Sequence, residues 1–98
     1  MSDEKIPVQV VNNPAAKRFE THVDGHLAIL QYALKRGKIV FLHTEVPDEL
    51  EGQGIGGQLA KAGLEYARAE GLGVVSECPF VSSYIQRHPQ YQELVTAL

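Results

Sequence analysis

Apolar and polar residues alternate with a period of two through the first half of the chain, a pattern that predicts β-strands. The predicted strands cover residues 8–11, 18–23, 26–34 and 38–46. Asp24-Gly25 favours a tight hairpin turn, and Arg36-Gly37 turns the chain again. The run after Leu27 also suits a helix, because it has few β-branched residues, but the hairpin turn before it favours a strand.

The same alternation predicts which side chains share a face. Residues 26–34 are apolar on both faces, which is typical of a central strand. In the strand that starts at Lys38, strict alternation divides the side chains into two sets on opposite faces. One set is Ile39, Phe41, His43 and Glu45, and the other is Val40, Leu42, Thr44 and Val46.

The second half of the chain changes to a helical period. Apolar residues spaced by three and four positions predict an amphipathic helix over residues 55–70, which Gly71 ends. A short strand over residues 72–77 and a second helix over residues 80–87, halted by Pro89, follow. Residues 90–98 are expected to form a last turn or short helix, and residues 1–5 a frayed end.

These elements predict an α+β fold in a single domain of 98 residues. Four strands joined by short turns form an antiparallel arrangement. The strand–helix–strand unit that starts at Lys38 then makes its two strands parallel. The expected architecture is a mixed, mostly antiparallel sheet with a C-terminal βαβ unit and helices packed on it.

Composition narrows the functional classes. The net charge of −3 and the lack of a Lys/Arg run argue against nucleic acid as a partner. Cys78 is the only cysteine, so no internal disulfide is expected. A single free cysteine also suits a reducing, cytoplasmic location, which is therefore expected. The polar N-terminus and the lack of an apolar run of about 18 residues predict neither a signal peptide nor a membrane span. The four histidines lack metal-ligand spacing, so no metal is expected, and the oligomeric state is left open.

The run Glu51-Gly52-Gln53-Gly54-Ile55-Gly56-Gly57 lies between a predicted strand and the first predicted helix. A glycine-rich turn at a helix N-terminus presents free N–H groups and the positive end of the helix dipole, which suit a phosphate. A plain turn explains one or two glycines but not four in six residues. The run also matches the dinucleotide motif G-x-G-x-x-G, with Glu77 about 20 residues on. That alternative is weaker, because four residues separate the strand from the run and only one βαβ unit is predicted.

With the strand before it, the run resembles the acetyl-CoA-binding motif [Q/R]-x-x-G-x-[G/A] of the GNAT N-acetyltransferase superfamily. Glu51 stands where that motif has Gln or Arg, and an acid is electrostatically unhelpful beside a pyrophosphate. The resemblance extends to most of the chain and is strongest to the minimal, single-domain YjdJ-type branch. The segments that carry it are His43-Thr44-Glu45-Val46-Pro47, Glu65-Tyr66-Ala67, Cys78-Pro79-Phe80-Val81 and residues 84–91.

The resemblance implies transfer of an acetyl group from acetyl-CoA to an amine, on a protein or a small molecule. It implies that the amides of Gly52, Gln53, Gly54, Ile55, Gly56 and Gly57 hold the pyrophosphate. It also implies that the pantetheine arm pairs with the strand end at Thr44, Glu45 and Val46. An alternative from another class is a coenzyme A-binding or interaction module with weak catalysis, and a dinucleotide-binding fragment is a third.

Two residues are candidates for catalysis. Cys78 follows a predicted strand beside the expected thioester, which allows an acyl-cysteine route, although free cysteines more often only pack. Tyr84 lies on the helix that follows, where a phenol would protonate the leaving thiolate or pack under the tail. His43 and Glu45, predicted on one strand face, form a possible proton relay or plain polar surface. The resemblance implies direct transfer without a protein nucleophile.

Overall fold

A computed structural model describes residues 7–97, so the predicted frayed end at residues 1–5 lies outside the described residues. The strands are β1 (Val11–Asn13), β2 (Arg18–Val23), β3 (His26–Lys35), β4 (Lys38–Glu45) and β5 (Gly73–Ser76). The α-helices are α1 (Ile55–Glu70) and α2 (Pro79–Arg87). Short 3₁₀ helices cover Asp48–Leu50 and Pro89–Leu94, the second of which occupies the predicted last turn.

The five strands form one mixed sheet in the order β1-β2-β3-β4-β5. Neighbours from β1 to β4 are antiparallel, and β4 and β5 are parallel because α1 connects them. This confirms the predicted fold class and the central place of β3. The described sheet has one βαβ unit, which is too few for the dinucleotide-binding alternative.

The first strand lies later in the chain than predicted. Residues 8–11 were expected to form it, but the ladder with β2 pairs Val11 with Glu20 and Asn13 with Arg18. The turn that follows is closed by the Lys17 N–H, which donates to the Pro14 carbonyl at 3.2 Å, so both asparagines before Pro14 remain in the strand. Val8 and Val10 instead pack against the apolar core next to the sheet.

A β-bulge changes the faces of β4. Tyr32 pairs with Phe41 but Gln31 pairs with His43, so Leu42 has no partner on β3. The extra residue reverses the alternation beyond it. The prediction that Thr44 lies opposite Ile39 and Phe41 was therefore wrong: Thr44 pairs with Leu30 and faces the core with them, and His43 and Glu45 lie on the other face.

The core lies between one face of the sheet and the two helices. Its strand residues, such as Leu30, Phe41 and Val74, are almost fully buried against Leu59 and Leu64 of α1. Helix α2 packs on the same side, where its Val81 and Ile85 join the cluster and the Ser82 hydroxyl lies 2.8 Å from that of Ser76. The end of β4, the start of α1 and the start of α2 therefore meet at one edge of this core.

The last strand is shorter than predicted. Residues 72–77 were expected, but the ladder with β4 covers only Gly73–Ser76. Leu72 belongs to the helix end, where its N–H donates to the Ala67 carbonyl at 2.9 Å. The chain after the second 3₁₀ helix returns to β5, because the Thr96 N–H donates to the Val74 carbonyl at 2.9 Å.

Candidate functional site

The two parallel strands part before β4 ends. Their ladder runs from Lys38 opposite Gly73 to Phe41 opposite Ser76. The last bond joins the Glu77 N–H to the Phe41 carbonyl at 2.8 Å. Beyond it β4 continues to Glu45, and the neighbouring chain turns into α2. The β5 side of residues 42–45 therefore presents main-chain N–H and C=O groups that need partners from elsewhere.

The start of α1 supplies further unpaired N–H groups. The first helical bond runs from the Gln58 N–H to the Gly54 carbonyl at 3.2 Å, which leaves the amides of Ile55, Gly56 and Gly57 without intrahelical acceptors. Gly54 precedes the helix in the left-handed region, with φ of 75° and ψ of 16°. These amides and the positive end of the helix dipole favour an anionic ligand.

A cavity of about 400 Å³ joins the parted strands to the helix start. It brings together seven of the predicted cosubstrate-binding residues, namely Thr44, Val46, Gly52, Gly54, Ile55, Gly56 and Gly57. Leu50, Glu51 and Phe80 complete the lining. Gln53 and Glu45 are not part of it. The side chain of Glu45 points to the other face of the sheet, so only its main chain is available on this side.

Phe80 is a residue of this cavity that the sequence analysis missed. A Cβ on Gly56 would lie 2.8 Å from the Cζ atom of the Phe80 ring, so the absence of a side chain at Gly56 leaves room for the aromatic ring. Phe80 is 39% exposed despite its size, at the second position of α2. An aromatic residue directly after Cys78-Pro79 was the available signal, and the helical pattern gave no reason to separate it from the core.

Cys78 lies where the strands part. Its sulfur is 3.3 Å from the Thr44 hydroxyl, and its side chain is buried. Cys78 is also the N-cap residue of α2, which places its thiol near the positive end of that helix. The structure thus brings one predicted catalytic residue next to a predicted cosubstrate-binding residue.

Tyr84 lines a different cavity. Its ring stacks on His88 with 3.9 Å between centroids and lies on the Gly57 side of the glycine run. Burial raises the pKa of the Tyr84 phenol above its ordinary value. The phenol therefore stays protonated at neutral pH, but it is not part of the cavity that contains Thr44 and Val46.

His43 and Glu45 meet on the opposite face of the sheet. The His43 Nε2 and Glu45 Oε2 atoms are 3.4 Å apart, and both side chains are largely exposed. A cavity of about 340 Å³ on that side is lined by Leu27, Glu45, Val46, Pro47 and Asp48. Val46 lines this cavity and the glycine-rich one, so the two cavities share this residue.

A family model for GCN5-related N-acetyltransferases matches residues 18–94, which span β2 to the second 3₁₀ helix. The chain belongs to the GCN5-related N-acetyltransferase family. Protein NATD1 of Gallus gallus is 34% identical over 95 residues, covering 94% of this chain and 86% of the chicken protein. Protein NATD1 of Homo sapiens is 33% identical over 95 residues, covering 94% of this chain and 84% of the human protein.

A solved structure supports the same family. The NMR solution structure of a GCN5-like protein from Staphylococcus aureus superimposes with a TM-score of 0.72 and 30% sequence identity. The match covers all of this chain and 93% of the staphylococcal chain. Within the described residues, the GCN5-related fold therefore extends beyond the family-model match to the stretch before β2.

Residues 7–97 contain neither a membrane-spanning helix nor a cluster of metal-binding side chains. In that part of the chain no helix has the length and apolar character to cross a membrane. The same residues contain no group of three or more His, Cys, Asp or Glu side chains placed to hold a metal ion.

Glu51 is the residue that departs from the acetyltransferase motif, and we expect Glu51→Gln to tighten coenzyme A binding. Glu51 is exposed and lines the glycine-rich cavity, so its charge repels a pyrophosphate there. A screened surface charge is worth about 1 kcal/mol or less, so the gain is about fivefold at most. Titration calorimetry measures it, with Glu70→Gln at the far end of α1 as the control. Weaker binding by Glu51→Gln would show that the carboxylate helps to hold the ligand.

Proposed function

We propose that this chain is an acetyl-CoA-dependent N-acetyltransferase and that residues 1–98 form one catalytic domain in a reducing, cytoplasmic environment. One observation carries the proposal. Thr44 and Val46, at the end of β4 where the strands have parted, line a single cavity with the residues of the α1 N-terminus that carry free amides. Coenzyme A has an amide-bearing arm next to a pyrophosphate. The open strand end matches the arm, and the adjacent free amides of α1 match the pyrophosphate.

The residues fit the cosubstrate in two places. The amides of residues 52–57 would hold the pyrophosphate, where glycines keep side chains out of the way. The main chain of Thr44, Glu45 and Val46 would pair with the pantetheine amides as an added strand does. The apolar side chains of Leu50, Ile55 and Phe80 line the same cavity and suit the aliphatic parts of the arm.

In the proposed reaction the amine nitrogen attacks the thioester carbonyl, a C–N bond forms and the C–S bond breaks. A main-chain N–H near Val46 holds the developing oxyanion. The amine enters through the cavity on the other face of the sheet, which Val46 also lines. The Glu45 carboxylate, on that face, accepts the proton that the nitrogen loses. The coenzyme A thiolate leaves and takes a proton from water.

A coenzyme A-binding module with weak catalysis is the second candidate. Glu51 in the cavity favours it, and so does the place of Tyr84 in a different cavity. Both candidates predict coenzyme A binding, and only the first predicts turnover. The acceptor amine, on a protein or a small molecule, matters only to the first.

A thermal-shift panel tests whether the protein binds coenzyme A, which both candidate functions require. Acetyl-CoA and coenzyme A should raise the melting temperature, because a ligand that binds only the folded state stabilises it. NAD and ATP at equal concentration should raise it less. Release of free thiol from acetyl-CoA with a set of primary amines then separates the enzyme from the binding module. No shift with acetyl-CoA or coenzyme A would overturn both.

Cys78 gives a prediction about the route of transfer. We expect Cys78→Ser to keep most acetyl transfer, within about threefold, because direct transfer needs no protein nucleophile and serine preserves the polar contact with Thr44. Steady-state kinetics measure this. Intact-protein mass spectrometry of the unmodified protein with acetyl-CoA should show no adduct. An adduct on Cys78 that an amine then discharges would instead establish an acyl-cysteine intermediate.

A further inference from the structure

The cavity proposed for the amine combines apolar and acidic residues. Its volume of about 340 Å³ is near the lower end of the range for small-molecule sites. Leu27, Val46 and Pro47 form its apolar wall, and Glu45 and Asp48 are its charged residues. All five belong to the start of β3 or to the segment in which β4 leads into the first 3₁₀ helix. The wall therefore suits a short alkyl chain that carries positive charge.

The two carboxylates of this cavity differ in what they already contact. The Glu45 Oε2 atom lies 3.4 Å from His43 Nε2, and the proposed reaction uses Glu45 as the base. Asp48 is exposed and makes no ion pair with any residue from 7 to 97. Its neighbour Glu49 lies 4.0 Å from His26 and is not part of the cavity lining. Asp48 is therefore the carboxylate of the cavity whose charge is available to a ligand.

The segments that form the cavity contain no basic residue to neutralise these carboxylates. Residues 19–34 and 39–60 include all five lining residues and have neither lysine nor arginine. The lysines of the central hairpin lie at the opposite end of the sheet, where Lys35 ends β3 and Lys38 starts β4. Positive charge is thus at one end of these strands and negative charge at the other, an arrangement that attracts a cation to the cavity.

The lining favours a small molecule over a lysine of a protein. Two carboxylates line the one cavity, so each end of a molecule with two amino groups finds a partner inside it. A lysine side chain brings only one amino group into the cavity, and any second charge would come from a neighbouring residue outside it. A protein acceptor would therefore leave Asp48 without a partner in the cavity.

We propose that the acceptor is a short linear diamine, a primary alkyl amine with a second ammonium group at the far end of its chain. The inference rests on the proposed function, which brings the reacting nitrogen in beside Val46. One amino group loses its proton to Glu45 and forms the C–N bond as the C–S bond of the thioester breaks. The other amino group keeps its proton and pairs with Asp48. Leu27 and Pro47 contact the methylene groups between them.

The test compares 1,5-diaminopentane with 5-amino-1-pentanol as acceptors, in steady-state kinetics with saturating acetyl-CoA at low salt. The two amines have the same carbon chain, and only the first carries a second charge. After correction for its two equivalent amino groups, the diamine should have a kcat/KM about fivefold higher, as expected of one partly screened ion pair. The difference should lie in KM, with kcat within about twofold, and should disappear at about 1 M salt because salt screens exposed charges.

Asp48→Asn should remove this preference by raising the KM for the diamine about fivefold. Glu49→Gln is the matched control, because it removes the adjacent exposed carboxylate, which does not line the cavity. The Glu49→Gln variant should keep the preference for the diamine.

The outcomes separate this inference from the proposed function. Equal kcat/KM for both amines would overturn the diamine proposal and leave the transferase intact. A preference that survives Asp48→Asn would overturn it as well. Transfer to a lysine-containing basic peptide but to neither small amine would overturn it in favour of a protein acceptor. Transfer to none of these amines would overturn the proposed transferase itself, and the diamine proposal with it.

Discussion

Replacing Gly54 with valine will abolish measurable coenzyme A binding and leave a folded protein. Gly54 has φ of 75°, a region that a β-branched residue adopts only with strain of about 1–3 kcal/mol. Relief of that strain reorients the peptide groups at the start of α1, whose amides form the proposed pyrophosphate site. A valine side chain also occupies the cavity that Gly54 lines. Titration calorimetry measures the loss, and circular dichroism checks the fold.

Gly71 provides the matched control for this change. It ends the same helix with φ of 70° and lines none of the three cavities described above. Gly71→Val therefore introduces similar strain at the opposite end of α1. We expect it to lower stability and to retain coenzyme A binding. Unchanged affinity in Gly54→Val would contradict the pyrophosphate site.

Glu45→Gln is expected to lower kcat by about a hundredfold or more, because general-base catalysis typically contributes 10²–10⁴ in rate. The KM for acetyl-CoA should remain within about twofold in steady-state kinetics, since the pantetheine arm is proposed to pair with main-chain atoms of Glu45. Glutamine keeps the size of the side chain and removes its ability to accept a proton.

Glu49→Gln is the control for the proposed base. Glu49 is also exposed and near a histidine, with its Oε1 atom 4.0 Å from His26 Nδ1, but it lines none of the described cavities. The kcat of the Glu49→Gln variant should equal that of the unmodified enzyme. A kcat for Glu45→Gln within twofold of the unmodified enzyme would show that solvent, not Glu45, takes the proton.

The fold was largely predictable because its strongest patterns are local. The helix over Ile55–Glu70 was predicted to the residue, since its apolar stripe is regular and Gly71 ends it. The hairpins followed from short turns, and the parallel pairing of β4 and β5 followed from the helix between them. These features depend on residues close together in the sequence.

The errors concern pairing between strands. The bulge at Leu42 reversed the predicted faces of β4 beyond Phe41, and alternation alone carries no information on where a register shifts. The start of β1 was misplaced for the same reason, because its bounds depend on which residues of β2 it meets. The local pattern of β4 does not show how it pairs with β3, and that of β1 does not show how it pairs with β2.

The candidate site divides in the same way. The resemblance to the acetyl-CoA-binding motif implied that the glycine run and the end of β4 hold one ligand, and residues of both line the same cavity. The contact of Phe80 with Gly56 and the position of Tyr84 in a second cavity depend on how α2 packs against α1. Such packing is tertiary, and local sequence patterns carry no information on which side chains of the two helices meet.

The bulge at Leu42 has a consequence for how the two halves of the proposed site are tied together. Along a strand, successive side chains point to opposite faces of the sheet. One extra residue therefore decides to which face each later side chain points. Here the extra residue turns the Thr44 side chain toward the cavity proposed for the thioester and the Glu45 side chain toward the cavity proposed for the amine. The side chains that face the proposed acetyl donor and the proposed amine acceptor therefore belong to adjacent residues of one strand. Deletion of one residue of β4 before Thr44 would exchange the faces to which the Thr44 and Glu45 side chains point, without changing either side chain.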